Sequence, residues 1–235
     1  MTFDKKTFIF LFLGFIVSTI VGTLSHEFGH YSVAKLMGYE ARIHYGMTSY
    51  YDLQNKSLLD SSYSKYIYQI KSNKDFPDKA KFLSVMAKNS TNGFWIILAG
   101  PMQTILTGTI GLIFLVIFRK RYSKVDKLST GGWLLVFLAL FWLRELANLF
   151  TTICILIMTG KISTHGDEII LAIDFDLPIL TISIGTGIIS ALVLLFVIFK
   201  IITQRQRLTF ILAGLFGGVT GFVLWLKTLG PILMP

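Results

Sequence analysis

The chain has 235 residues, of which 53% are hydrophobic and 15% are charged, and its mean hydropathy is +0.66. This composition is too apolar for the surface of a soluble globular protein, so we expect an integral membrane protein in contact with the lipid bilayer. Its 22 Lys and Arg outnumber its 13 Asp and Glu. In a membrane protein, basic residues are typical of cytoplasmic loops and of segments that contact lipid headgroups. We therefore exclude nucleic acid as a partner.

Hydropathy predicts an all-α membrane protein, a single integral membrane domain over residues 1–235 built as a bundle of about five transmembrane helices. About 20 apolar residues cross the hydrocarbon core of a bilayer. The predicted spans are residues 8–37, 94–118, 133–158, 179–199 and 208–226. The first apolar run is short, but its helical pattern continues without proline as far as Gly38, a residue type that commonly ends helices.

Residues 39–92, between the first two spans, form the predicted extramembrane or interfacial insertion. Apolar and polar side chains alternate over residues 41–48, which is the period of a half-buried strand, and we expect a short β-hairpin there. Residues 79–89 have the pattern of an amphipathic helix that leads into the second span.

The first span ends in the sequence His26-Glu27-Phe28-Gly29-His30. Residues four apart share one face of a helix, so the two imidazoles can bind a single Zn²⁺ ion. Glu27 can accept a proton from a water whose pKa the metal lowers to roughly 7. Two merely hydrogen-bonded histidines are the alternative, but ionisable groups that continue a bilayer-spanning run are costly and usually functional. We therefore predict His26 and His30 as metal ligands and Glu27 as the catalytic base.

Two histidines leave a zinc site one protein ligand short. The polar cluster Ser163-Thr164-His165-Gly166-Asp167-Glu168 follows the third span, just as the histidines end the first, and odd-numbered spans deliver both clusters to the same side of the membrane. Asp167 is the preferred third metal ligand, with His165 and Glu168 as alternatives. The same residues also have the pattern of a helix start, with Thr164 as its cap.

Three motifs resemble the site-2 protease family of intramembrane zinc metalloproteases: His26 to His30 after an apolar helix, Ala99-Gly100-Pro101 in the next span, and the Gly166-Asp167 step. The resemblance covers residues 8–177 and implies one zinc ion per chain, held by two histidines and an aspartate, with the glutamate as base. It also implies that membrane-anchored proteins are cut within or near their spans. Thr104 stands where the family usually has Asn, and a Pro-rich Asp-Gly context is missing around Asp167, so the chain resembles a divergent member.

Arg144, Glu145 and Asn148 lie inside the third predicted span, where charge must be paired or wetted. Adjacent residues on a helix do not face each other, so Arg144 and Glu145 are expected to meet different partners. A structural polar network is one interpretation. The other is that Asn148 binds substrate by donating a hydrogen bond to the scissile carbonyl, as an Asn of the resembled family does.

These motifs predict an intramembrane zinc metalloprotease, a zinc metalloendopeptidase that hydrolyses peptide bonds of membrane-anchored proteins through a zinc-activated water. A metal-ion transporter is one alternative, although it would need acidic or histidine residues at matching depth in several spans. A catalytically inactive protease-like scaffold is the other, although a purely structural zinc would not need Glu27. The sequence leaves the substrate and its cleavage site open.

Two small-residue pairs in the last span, Gly214 with Gly218 and Gly217 with Gly221, let helices approach closely. Packing within the bundle is the preferred interpretation, with a homodimer face as the alternative. The bacterial inner membrane is the expected location, because the sequence has few signs of an organelle address. The side of the membrane on which the site opens is undecided, because basic residues are almost equally frequent on the two faces.

Overall fold

A computed structural model describes residues 3–122, 128–164 and 166–235. Within these ranges, five helices are long and apolar enough to cross a membrane, which is compatible with a multi-pass membrane protein. They are Lys5–Leu36, Lys79–Lys120, Thr130–Thr159, Thr181–Ile201 and Arg207–Leu233. Each contains most or all of one predicted span, and the predicted helical architecture with a small β-hairpin is confirmed.

The first span is the helix α1, Lys5–Leu36. Asp4 caps its start, because the Asp4 side chain accepts a hydrogen bond from the backbone N–H of Lys6. Its end comes one residue before the predicted one, and Gly38 then turns the chain away with a φ of +85°, a conformation that favours glycine.

The connection to the second span begins with an antiparallel hairpin. The strand β1, Glu40–Ile43, pairs with β2, Thr48–Tyr51, so that Ala41 lies opposite Tyr50. The alternating pattern over residues 41–48 is therefore divided by a turn between the two strands. Ala41 packs in a small buried cluster with Ala34 of α1 and Ile96 of the second span, and this cluster fixes the hairpin beside both helices.

Two helices follow the hairpin. Sequence patterns did not predict α2, Lys56–Lys71, whose apolar residues form no clear stripe among its Ser, Lys and Tyr residues. The second span belongs to α3, Lys79–Tyr122. Residues 79–89 are helical as predicted, and they continue without a break into this span.

The third span consists of α4, Thr130–Ala139, a single 3₁₀ turn at Leu140–Trp142, and α5, Leu143–Thr159. The short helix α6, Asp167–Asp174, comes next. The expected cap at Thr164 is wrong: Gly166 occupies the N-cap position, and no side-chain hydrogen bond caps α6 within the described ranges. The polar cluster after the third span therefore starts a helix with Asp167 as its first residue.

The last two spans are α7, Thr181–Phe196, which extends as a π-helix over Val197–Ile201, and α8, Arg207–Val223. A second π-helical stretch, Leu224–Leu229, joins α8 to the final turn of helix α9, Gly230–Leu233.

Glycines of α8 allow it to pack closely along α1. A Cβ atom at Gly217 or Gly221 would lie within 3.0 Å of backbone atoms of α1, and one at Gly214 would lie 3.1 Å from the ring of Phe15. A Cβ at Gly218 would have no neighbour within 4 Å among the described residues. The predicted packing within the bundle is thus confirmed for three of the four glycines.

Candidate metal centre

The two histidines of the first span lie on one face of α1, as their spacing predicts, and that face packs against α3. His26 is fully buried and His30 is 8% exposed. Their Nε2 atoms are 3.2 Å apart, and the rings meet edge to face. The helix therefore presents two imidazole nitrogens to a single point.

Contacts with α3 favour one position for the proton on each neutral ring. Nδ1 of His30 lies 2.6 Å from the carbonyl oxygen of Ile96, which can only accept, so the proton sits on Nδ1. Nδ1 of His26 lies 2.9 Å from Oγ1 of Thr104, and that hydroxyl is placed to donate to the carbonyl oxygen of Gly100 at 3.3 Å. A hydroxyl that donates to Gly100 accepts from His26. Both rings thus direct the lone pair of Nε2 toward the same point.

Two glycines, which have no side chain, leave room for the two imidazoles between α1 and α3. A Cβ atom at Gly100 would overlap Nε2 of His30 and would lie 2.7 Å from Nε2 of His26. A Cβ atom at Gly29 would lie 2.6 Å from the carbonyl oxygen of Ala99. The Ala99-Gly100-Pro101 segment therefore faces the histidines, and the close approach of α1 to α3 depends on glycine in both helices.

Asp167 brings a carboxylate to the two imidazoles. Its Oδ2 atom lies 2.8 Å from Nε2 of His26 and 3.3 Å from Nε2 of His30. Burial alone would raise the pKa of Asp167, but the hydrogen bonds to both histidines outweigh it and hold the pKa of this carboxyl below its usual range. If both Nδ1 atoms carry the ring protons, a second proton on an imidazole or a metal ion would bridge the imidazoles and Asp167.

Glu168, one of the two alternative third ligands, is placed away from the two imidazole nitrogens. Oε1 of Glu168, a buried residue, accepts a hydrogen bond of 2.8 Å from Nδ2 of Asn148. His165 lies outside the described residues. Of the two candidates within the described residues, Asp167 is the one that lies beside His26 and His30.

Glu27 is 3% exposed, and its carboxylate lies beside the histidines. One ligand atom from each of His26, Glu27 and His30 lies within 4.8 Å of the others, so this group is compatible with a metal ion. Oε2 of Glu27 lies 3.1 Å from the hydroxyl of Thr48 in β2, and Oε1 lies 3.9 Å from Nη2 of Arg144 in α5. The carboxylate is thus held between the hairpin and the third span.

A cavity of about 410 Å³ opens beside Glu27 and His30. The turn and strand of the hairpin form one wall, and α5 with the start of α6 forms another. Residues from these walls include Met47, Thr48, Arg144, Asn148 and Asp167. The cavity gives a bound molecule access to the candidate base and to the edge of the metal centre.

Polar residues of the third span face different neighbours, as predicted. Arg144 points toward Glu27, whereas Glu145, only 1% exposed, lies beside the carboxyl of Glu168. Asn148 joins this second group through its hydrogen bond to Glu168, so the polar-network interpretation is supported for Asn148. Asn148 also lines the cavity, so its contact with substrate stays a prediction.

The sequence did not predict that Thr48 and Arg144 lie beside Glu27. It identified Arg144 only as a charged residue within a span that needed a partner. Thr48 reaches Glu27 across 21 positions of the chain. A hydroxyl in a short strand has no spacing or composition that would reveal such a contact. The charge of Arg144 in an apolar span was the available signal, but it did not identify Glu27 as the neighbour.

Comparisons of the chain with protein-family models, with curated proteins and with solved structures find no match. The resemblance to the site-2 protease family therefore rests on the motifs alone and stays a prediction. Function has to be argued from the chemistry of the site itself.

Proposed function

We propose that the chain is an intramembrane zinc metalloprotease that hydrolyses peptide bonds of membrane-anchored proteins. The observation that supports this most directly is the convergence of three ligand atoms beside a buried glutamate: Nε2 of His26, Nε2 of His30 and Oδ2 of Asp167. Hydrolysis through a metal-activated water needs a metal, a base and access for a peptide. The residues around the cavity offer a candidate for each.

The distances among these atoms support a zinc ion. They are 3.2 Å between the two nitrogens and 2.8 Å and 3.3 Å from each nitrogen to the carboxylate oxygen. In a tetrahedral zinc site with bonds of about 2.0–2.1 Å, two ligand atoms lie about 3.3 Å apart. Two imidazoles and a carboxylate would hold zinc and leave its fourth position open, as in catalytic zinc sites. The same donors also occur in iron sites, so the metal has to be identified directly.

Glu27 fits the role of general base. Zinc in such a site supplies acidity, because it lowers the pKa of a coordinated water to about 7. Glu27 would take a proton from the attacking water and return it to the leaving amine. The hydroxyl of Thr48 lies 3.1 Å from the Glu27 carboxylate and would keep it oriented during both transfers.

The hairpin offers a place for an extended substrate. Thr48 and Tyr50 of β2 line the cavity, and within the described ranges β2 pairs with β1 on one side only. A peptide added to the open edge of β2 would receive backbone hydrogen bonds and would run past Glu27. An extended substrate is also required chemically, because the peptide bonds of a helix are shielded by their own hydrogen bonds.

A cleavage assay with purified, zinc-loaded protein in detergent tests this proposal. The substrate is a casein carrying self-quenched fluorophores, which reports hydrolysis of an unfolded chain without knowledge of the natural substrate. We expect wild type to cleave it and Glu27→Gln to be inactive with its zinc retained. Glu40→Gln is the matched control, because Glu40 is an exposed glutamate that pairs with Lys35 at the surface. Equal cleavage by Glu27→Gln and wild type would contradict the proposal.

A further inference from the structure

A cation of the third span faces the cavity of the candidate metal centre. Arg144 lies in the first turn of α5, and its side chain is 26% exposed, so part of the guanidinium is accessible from the cavity. Among the described residues that line the cavity, Arg144 alone carries a permanent positive charge. Charged side chains within spans are rare and are usually retained for function.

The hydrogen-bond donors of Arg144 are largely unused. Its Nη2 atom lies 3.9 Å from Oε1 of Glu27, which is longer than a hydrogen bond. Its Nε atom is buried and has no hydrogen-bond partner within the described ranges. A guanidinium offers five N–H donors in a planar fork, and burying such donors without acceptors costs free energy. A molecule bound in the cavity could therefore supply a hydrogen-bond acceptor to the Arg144 guanidinium.

Peptide hydrolysis produces such an acceptor beside Glu27. The oxygen of water bonds to the carbonyl carbon, the C=O electron pair moves onto the carbonyl oxygen, and the water proton passes to Glu27. The oxyanion then returns its electron pair to carbon, the C–N bond breaks, and the amine leaves with the proton. Between these steps one oxygen carries a full negative charge, which fixed donors in a partly buried site stabilise strongly.

We propose that Arg144 is a further catalytic residue, whose guanidinium binds the carbonyl oxygen of the scissile bond as its negative charge develops. The inference rests on the proposed function. Asn148, the residue expected from the sequence to make this contact, lies one turn further along α5, and its Nδ2 already donates to Glu168. Asn148 then acts as a positioning residue, because it links α5 to the helix that carries Asp167.

Equilibrium binding of N-phosphoryl-Leu-Ala to zinc-loaded protein in detergent tests the role of Arg144. Its phosphoryl group is tetrahedral and anionic, and so resembles the reacting carbon with its charged oxygen. The analogue N-acetyl-Leu-Ala keeps the same C-terminal carboxylate but has a neutral acetyl group in place of the phosphoryl group, so it measures the contribution of the rest of the dipeptide. The variants are Arg144→Gln, which removes the charge, and Arg144→Lys, which keeps the charge but loses the fork. Arg119→Gln is the control, because Arg119 is exposed near the far end of α3.

We expect Arg144→Gln to bind the phosphoryl dipeptide about 100-fold more weakly than wild type, the effect typical of removing one donor to an oxyanion. Arg144→Lys should bind it about 10-fold more weakly, and Arg119→Gln as wild type does. Binding of the acetyl dipeptide should be equal in all four proteins, and each should contain the same amount of zinc.

Two results would overturn the inference in distinguishable ways. Tight binding of the phosphoryl dipeptide by wild type, matched by Arg144→Gln with its zinc retained, would contradict the role of Arg144 and leave the proposed function standing. Failure of zinc-loaded wild type to bind the phosphoryl dipeptide or to cleave casein would contradict both. If Arg144→Gln does not fold, Arg144→Lys decides, since affinity equal to that of wild type would contradict the loss of about 10-fold expected for replacing the guanidinium.

Discussion

The hydroxyl of Thr48 lies 3.1 Å from Oε2 of Glu27 and 2.9 Å from the carbonyl oxygen of the same residue. Thr48 is the first residue of β2, and Glu27 lies in α1. One side chain thus joins the hairpin to the candidate base. A peptide on the open edge of β2 would lie beside Glu27 because of this contact.

The first prediction concerns this link. Thr48→Val keeps the shape of the side chain but removes the hydroxyl, so the carboxylate of Glu27 loses a partner that orients it. We expect casein cleavage, measured as kcat/KM, to fall about 10-fold, as is typical when an outer partner of a metal site is lost. Thr48→Ser should cleave at nearly the wild-type rate, and both variants should keep their zinc. Cleavage by Thr48→Val at the wild-type rate would contradict the role given to this contact.

The second prediction concerns the space around the histidines. Gly100→Ala should lose bound zinc, because its methyl group would overlap Nε2 of His30 and crowd Nε2 of His26. Gly22→Ala is the control, since a Cβ atom at Gly22 meets nothing within 4 Å among the described residues. Elemental mass spectrometry of the two purified variants measures zinc per chain. Equal zinc in both would show that α3 does not approach the histidines as closely as described.

The third prediction concerns the ring orientation of His26. Thr104→Val removes the hydroxyl that lies 2.9 Å from Nδ1 of His26, so the proton on Nδ1 loses its acceptor. Zinc affinity should fall about 10- to 100-fold. Thr104→Ser should retain affinity close to that of wild type. Competition with a chromophoric chelator measures both, and unchanged affinity in Thr104→Val would exclude Thr104 as the residue that orients His26.

The fourth prediction separates two neighbouring glycines of α8. Gly217→Ala should lower the free energy of unfolding by about 1–3 kcal/mol, because its methyl group would lie 2.6 Å from the carbonyl oxygen of Phe12. Gly218→Ala should not lower it, because a Cβ atom there has open space in the described structure. Denaturant unfolding in detergent, followed by helical circular dichroism, compares the pair. Equal stability of the two variants would argue against the packing of α8 on α1.

Much of the fold could be predicted because its signals are local. A run of apolar residues has to cross the bilayer whatever surrounds it, and the four-residue spacing of His26 and His30 places both rings on one helix face. Gly38 could be predicted to end α1 because the positive φ that ends a helix depends on the residue type at that one position. The sequence could also suggest that Asp167 belongs to the site. Asp167 follows the third span, the histidines end the first, and odd-numbered spans end on the same side of the membrane.

Contacts between distant segments could not be predicted in this way. The approach of Thr48 to Glu27 and the bond from Asn148 to Glu168 depend on how hairpin, α5 and α6 pack together. The space that Gly100 leaves for the imidazoles is visible only when α1 and α3 lie side by side. The helix α2 was missed because its polar and aromatic residues form no apolar stripe. Its tyrosine rings pack against Phe76 and Phe82, which lie further along the chain.

The most direct test of the account is zinc per chain, measured by elemental mass spectrometry on detergent-purified wild type, His26→Ala, Asp167→Ala and Glu27→Gln. Iron is counted in the same samples, because the same donors occur in iron sites. The account predicts one zinc in wild type, retained by Glu27→Gln and lost from His26→Ala and Asp167→Ala. Wild type without zinc after metal-supplemented purification, or Asp167→Ala with its full zinc, would contradict it.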